Sequence, residues 1–260
     1  MKTAEKKISK YTTRIETLLN QVFVTRKDLE KVHGYLNYAA AIEPFGRPFL
    51  SALTNALRGK SYSLEFPLPS TARRSLQLWK QILRRNQGSS LKFILNDLTR
   101  SKYNIFVDAT TSWGMGGCCG PNYFCIPWRE LSTFNTNFIA RKELLACLVA
   151  VFCFGDLISN RLVTLFTDNQ NVVAWLRKGR STSSLGNSFL AAWELGKYRA
   201  RCKISPVWLP SAHNCTADAL SRNMIPEWLA RGGRKLNPDL GMIASYVVHP
   251  IRAWSNICVN

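Results

Sequence analysis

Hydrophobic positions recur along this chain at two different periods, and the change falls near residue 100. Before it the spacing is helical. Leu29, Val32, Leu36 and Ala39/Ala40 in TRKDLEKVHGYLNYAAAI return every three or four residues, which predicts a helix with Thr25 as its N-cap. Pro44 predicts the end of that helix, GRPF at 46–49 a turn, and Leu50–Leu57 a short helix. SYSLEFPLP (61–69) reads as an extended connector punctuated by proline. A further helix, Thr71–Asn86, carries Leu76, Trp79, Ile82 and Leu83 on one face and Arg73, Arg74, Lys80, Arg84 and Arg85 on others.

From about residue 101 the pattern shortens to strands separated by turns. YNIFVDAT (103–110), the Gly-rich SWGMGGCCG and NYFCIPW (122–128) read as an antiparallel meander. IARKELLACLVAVFCFGDLI (139–158) is a long helix, RLVTLFTDN (161–169) a strand, and VVAWLRKG (172–179) and SLGNSFLAAWELGKYRARC (184–202) are helices. KISPVWLP (203–210) is a last strand and CTADALSRN (215–223) a short helix that Thr216 could cap. The order β-β-β-α-β-α-α-β-α predicts an α/β domain, a mixed five-stranded sheet flanked by helices, preceded by a mainly helical N-terminal segment. The expected division is 1–95, 100–223 and a C-terminal extension 224–260. Trp228, Pro238 and Trp254 in that extension suggest no chemistry, and it is expected to pack on the domain or to link onward.

Composition narrows the partner. Lys and Arg number 35 against 16 Asp and Glu, a formal net charge of +19, and 46% of residues are hydrophobic. A core is assured, and so large a basic excess points to a polyanion, most commonly nucleic acid. An anionic membrane fits less well, because no basic helix presents a lipid-facing aromatic side. The apolar run Leu144–Ile158 is interrupted by Asp156 and is short for a bilayer span. The eight cysteines include no C-x-x-C pair and only three His are present, which disfavours zinc. No apolar stretch follows the charged start, so an intracellular location, cytoplasmic or nuclear, is expected. For phosphate contacts the candidates are Arg73, Arg74, Lys80, Arg84 and Arg85, with Arg177, Lys178 and Arg180 behind VVAWL. A solvated helix face, or a helix C-terminus complementing its dipole, is the plainer explanation of each group.

Four acids stand out against this basic background. Asp108 and Asp168 close predicted strands, Glu143 lies in the first turn of the long helix, and Asp218 lies in the last short helix. Residues at strand C-termini gather on one sheet edge, where ligands bind. Crowded carboxylates repel and have raised pKa values unless cations neutralise them, and hard Mg²⁺ or Mn²⁺ is the matching cation. Each acid also has a modest explanation. Asp168 could be a turn residue, Glu143 a solvated residue near a helix N-terminus, and Asp218 the partner of Arg222 one turn on.

The set FVDAT, GMGG, ARKELLA, LFTDNQNVVAWL and LPSAHNCTADALSR resembles the RNase H domain of reverse transcriptases, especially those of DIRS-like retroelements. The upstream KDLEKVHGYLNYAAAIEPFGRPFLSAL resembles the thumb and connection region of the same proteins. The resemblance covers roughly 25–57 and 103–223. It implies an RNase H-like fold and a two-metal site for Mg²⁺, or Mn²⁺, in which Asp108 bridges both ions. Glu143 and Asp168 would complete the second-metal site, and Asp218 would help hold the metal that activates water. It also implies that His213 is a mobile residue aiding proton transfer or product release, though a surface loop residue is an equal reading. Ser112 and Asn169 adjoin the acids and are candidate substrate contacts, with ordinary turn chemistry as the alternative. No Tyr-x-Asp-Asp palm motif occurs, so polymerase activity is not expected from this chain alone, and a separate polymerase or recombinase portion is a conceivable partner. The implied activity is cleavage of the RNA strand of RNA–DNA hybrids. The alternatives are a catalytically inactive nucleic-acid-binding relic and a DNA nuclease or strand-transfer enzyme.

Overall fold

The computed structural model describes residues 5–41, 43–85, 99–134 and 136–250, excepting the side chains of 5–7, 85 and 99–102. The chain divides into two compact units, 1–96 with 180–182 and 97–179 with 183–260.

The first unit is mainly helical. Helices α1 (Glu5–Asn20), α2 (Arg26–Ala39), α3 (Leu50–Leu57) and α4 (Ser70–Arg85) enclose Ile15, Leu29, Leu36, Leu53, Leu76, Trp79 and Ile82, all fully buried. Thr25 caps α2 as its sequence predicts: its hydroxyl accepts from the Asp28 amide at 3.1 Å and donates to the Asp28 carboxylate at 2.7 Å. The connector at 61–69 contains a strand, β2 (Glu65–Pro67), which pairs antiparallel with β1 (Phe23–Thr25) and sets Val24 opposite Phe66. Neither three-residue segment shows a period on its own, so the pairing is tertiary in origin.

The basic face predicted on α4 is partly corrected. Lys80 and Arg84 reach Glu16 of α1 at 2.9 and 2.6 Å. Arg73 donates to the carbonyl of Leu19 and, at 3.1 Å, to that of Gln21. Three of the five candidates therefore fasten α4 to α1 and its end. Arg74 is exposed, and the Arg85 side chain lies outside the described residues.

The second unit is α/β. Its sheet runs β7-β6-β3-β4-β5-β8, with β3 (Thr99–Ala109) antiparallel to β4 (Gly114–Cys119) and parallel to β6 (Arg161–Thr167). β5 (Asn122–Pro127) continues the meander, and β7 (Lys203–Trp208) extends the parallel side. Five strands are those the sequence predicts. A sixth, β8 (Arg234–Lys235), pairs with β5 and corrects the expected count.

Helix α5 (Ile139–Cys153) packs on β3 and β4, with α7 (Ser184–Arg199) on its other side. Every residue from Glu143 to Val151 is buried, which explains why this helix is apolar all round. It ends five residues short of the predicted 158, where Gly155 and Asp156 enter a turn. Close approach to α7 depends on Gly196, where a Cβ would stand 2.8 Å from Val151 Cγ1. Helix α6 (Gln170–Lys178) follows β6, and α8 (Cys215–Ser221) lies across β3, β4 and β5. Of the segment expected to be an extension, the described residues 224–250 belong to this unit. After α9 (Glu227–Gly232) and β8, helix α10 (Leu240–Val248) buries Ile243 and Val247 in the main core, and Tyr246 meets Phe152 edge-on at 5.2 Å. Trp254 lies outside the described residues. No helix among them is long and apolar enough to cross a membrane.

Gly116 is the contact that seats α8. It pairs with Asp108 across the β3–β4 ladder, and a Cβ there would lie 2.4 Å from Leu220 Cβ and 2.6 Å from the Ser221 nitrogen. Gly116→Ala is expected to destabilise the second unit by about 1–3 kcal/mol, the cost of overpacking against backbone that must move. Urea unfolding followed by tryptophan fluorescence measures this, and an unchanged midpoint would show that α8 is seated otherwise.

Candidate active site at the carboxyl edge of the sheet

Strand register brings the first two acids together. In the parallel β3–β6 pair Phe106 is opposite Phe166, and their rings stack with centroids 5.0 Å apart. Two residues further along each chain come Asp108 and Asp168, so both carboxylates arise at the same level of neighbouring strand ends. Asp218 arrives on α8, and Glu143 arrives on the first turns of α5. The four lie in one neighbourhood. Negative charge on Asp168 and Asp218 acts on Asp108, and charge on Asp168 and Asp108 acts on Glu143.

Each carboxylate is held by a nearby donor. Ser221 Oγ, fully buried, lies 2.6 Å from Asp108 Oδ2 and 2.8 Å from the Asp218 carbonyl. One hydroxyl hydrogen cannot serve both acceptors at once. Ser211 donates to Asp168 Oδ2 at 2.5 Å, while the Trp208 indole donates to the Asp168 carbonyl at 3.0 Å. Glu143 receives Asn169 Nδ2 at 3.2 Å and Thr167 Oγ1 at 3.4 Å. Arg222 directs Nε and Nη2 at Asp218 Oδ1, at 2.9 and 2.8 Å.

Burial sets the protonation of two of the acids. Glu143 is 6% exposed, and burial, outweighing the Asn169 hydrogen bond, pushes it up to about 8 from an ordinary 4.5. Asp108 is raised by burial and by its acidic neighbours, against the Ser221 hydrogen bond.

These donors suit a hard dication in kind: they are all oxygen, and two are uncomfortable as isolated anions. A buried atom with no hydrogen-bond partner adds to this. Asn214 heads α8 and anchors its Nδ2 on the Val107 carbonyl at 2.9 Å, while its Oδ1 has none. In position, however, the side chains are engaged with the donors named above. Among the described residues no three His, Cys, Asp or Glu side chains are grouped as they are around a metal ion. Ser221, Ser211 and Arg222 each engage one oxygen of Asp108, Asp168 and Asp218, so an ion taking those oxygens would displace these donors.

The remaining predicted residues scatter. His213 is exposed on a 3-10 turn, Ser211–His213, whose first residue holds Asp168. Ser112 is exposed in the β3–β4 turn. Asn169, expected to touch substrate, has both ends of its amide engaged: Oδ1 caps α6 through the amides of Asn171 and Val172, and Nδ2 holds Glu143. Arg177 donates to the Pro206 carbonyl at 3.2 and 3.0 Å, fastening α6 to β7. Lys178 is exposed; Arg180 is also exposed but groups with the first unit. Thr216 does not cap α8: the cap position is Asn214, whose side chain reaches β3 instead.

Sequence reading passed over Ser211, Ser221, Asn214, Thr167 and Lys142. Lys142 bridges α5 to the β3–β4 turn, donating to the Thr111 carbonyl at 2.8 Å and lying over the Trp128 ring. Ser221 is three residues beyond Asp218, which was the one local hint; the others act across the fold. Comparison with protein-family models, curated proteins and solved structures finds no match to this chain.

The raised Glu143 makes a signed prediction. Its folded value, about 8, exceeds its ordinary 4.5, so the unfolded chain releases this proton first. Stability from the protonated form is complete below pH 4.5 and is lost as pH rises toward about 8. In EDTA, Glu143→Gln should flatten that part of the stability–pH profile and exceed the parent near pH 8 by roughly 4 kcal/mol. Parallel profiles for the two proteins would contradict it.

Proposed function

We propose that this chain is a dication-dependent endonuclease of the RNase H type that cuts the RNA strand of RNA–DNA hybrids. The observation that carries the reading is the meeting of Asp108 and Asp168 at adjacent parallel strand ends, joined by Asp218 and Glu143 from two helices, in a chain of net charge +19. An RNase H-like fold, and descent from a DIRS-like retroelement reverse transcriptase, belong to the same proposal. They rest on the motifs FVDAT, TDN and ADALSR together with the α/β sheet that carries them.

In this reading Asp108, Glu143, Asp168 and Asp218 hold two Mg²⁺ ions, for which Mn²⁺ can substitute. When bound, such a pair supplies an activated water and a counter-charge for the leaving oxygen of a phosphodiester. The protein's own groups do the rest. Ser221 keeps Asp108 oriented, Asn169 and Thr167 keep Glu143 in place, and Ser211 with Trp208 fixes the backbone and side chain of Asp168. His213, exposed on the turn beside Ser211, is the candidate for moving a proton at the leaving group. Hydrolysis leaves a 3′-hydroxyl and a 5′-phosphate. Recognition of the hybrid would use 2′-hydroxyls in its wide, shallow groove, with Lys and Arg on the phosphates.

One observation favours a second reading, a non-catalytic nucleic-acid-binding relic: every one of the four acids is taken by a protein donor, and none is grouped as around an ion. One experiment separates the readings. Labelled RNA–DNA hybrid, double-stranded RNA and double-stranded DNA are incubated with the protein in Mg²⁺ or EDTA, alongside Asp108→Asn. Hybrid-only cleavage that needs Mg²⁺ and falls at least about 100-fold in the variant supports the proposal; loss of a mere outer partner of a metal site reaches that size. Salt-sensitive binding with no cleavage in any arm replaces it with the relic, and cleavage of DNA duplex replaces it with a DNA nuclease.

A further inference from the structure

Among the described residues, Arg222 is the cationic side chain hydrogen-bonded to one of the four acids. It lies one helical turn after Asp218 and places two N–H donors on a single oxygen, Oδ1, at 2.9 and 2.8 Å. Its charge also acts on Asp108. Both side chains are about half exposed, 53% and 42%. An exposed pair at this spacing adds little to a helix, so helix stability is a weak reason for its place. The neighbouring carboxylates Asp108 and Asp168 give a stronger reason, because repulsion among them and Asp218 is relieved by any nearby positive charge. Both donors fall on Oδ1, so a dication taking that oxygen would have to displace the guanidinium.

We propose that Arg222 is the resident counter-cation of this acidic edge and competes with a dication for Asp218, thereby setting how tightly the metal binds. The inference rests on the proposed function and adds to it a residue that tunes ion affinity without ligating an ion. Arg222 is a positioning residue: it acts through Asp218. Removing its charge leaves the edge more negative and Asp218 free to turn, so dication binding tightens. The expected gain is about fivefold, the scale of one unit-charge contact under near-aqueous screening.

The test uses the full chain and Mn²⁺ as the probe, with free Mn²⁺ measured by electron paramagnetic resonance in a titration, so that the readout is binding and not turnover. Arg222→Gln is compared with the parent, with Arg222→Lys, which keeps the charge and loses the fork, and with Arg231→Ala. Arg231 forms a similar exposed pair with Glu227 on α9, and its loss changes net charge equally. Tighter Mn²⁺ binding by about fivefold in Arg222→Gln, with Arg222→Lys within about twofold of the parent and Arg231→Ala unchanged, supports the inference. Binding by Arg222→Gln where the parent shows none supports it as well. Equal or weaker binding in Arg222→Gln overturns it while leaving the metal reading intact, as does an equal gain in Arg231→Ala. No binding by either the parent or Arg222→Gln overturns both the inference and the metal reading beneath it.

Discussion

Burial of acids brought together at a single sheet edge is the constraint around which the second unit is arranged. The β3–β6 register stacks Phe106 on Phe166 and, two residues later, brings Asp108 and Asp168 to neighbouring strand ends. Backbone pairing and ring stacking hold the strands together there, and the carboxylates must accept the proximity. A buried carboxylate without compensation costs several kcal/mol, so the group either finds donors or keeps its proton. Both responses occur. Asp168 and Asp218 remain part-exposed with a hydroxyl and a guanidinium as donors, whereas Glu143, 6% exposed, is driven up to about 8.

The donors come from elements that the fold brings in for packing reasons. Helix α8 lies on the sheet because Gly116 lets its backbone approach β4, and that approach carries Ser221 to Asp108. Thr110 adds to the same junction, its hydroxyl 3.2 Å from the Ser221 carbonyl. Asn169 links helix capping to the site, since a single side chain starts α6 and restrains Glu143. Apolar packing and polar alignment at this edge are therefore one arrangement: displacing α8 would disturb Asp108, and fraying α6 would disturb Glu143.

Much of this was legible in the sequence, and the illegible parts share a cause. Helices α2, α3 and α4, the meander β3–β5, and the alternation that follows it have strong local periods, and Leu50–Leu57 is found with the bounds its pattern predicts. The four acids were visible because each adjoins apolar sequence, Asp108 and Asp168 at strand ends and Glu143 and Asp218 within helices. Strands β1, β2 and β8 were not visible, being two or three residues long and created by their partners. The same holds for the donors. That Ser211, Ser221 and Thr167 would meet acids could not be read from neighbours in the chain, because 43, 113 and 24 residues separate the pairs. Long-range contacts of this kind follow from topology and leave little local mark. Sequence reading makes Asn169 a substrate contact and passes over Asn214, because their types suit turns and caps while their amides are long enough to reach another element.

The basic residues raise the question of how much a charge count says about a binding face. Arg73, Lys80, Arg84 and Arg177 looked like a phosphate track because they lie on polar helix faces, yet each contacts a carbonyl or carboxylate of its own unit. Such contacts fix where a guanidinium points and so remove it from easy service to a phosphate. They do not remove its charge. The net +19 already includes every acid, Glu16 among them, so the long-range field that draws a polyanion is undiminished by internal pairing. Attraction and contact thus separate into different residues. Attraction belongs to the whole surface and falls with salt. Under the proposed function, contact would fall to cations with exposed heads, such as Lys178, and a chain that drew nucleic acid with one set of charges while bracing its helices with another would need no continuous basic track visible in its sequence.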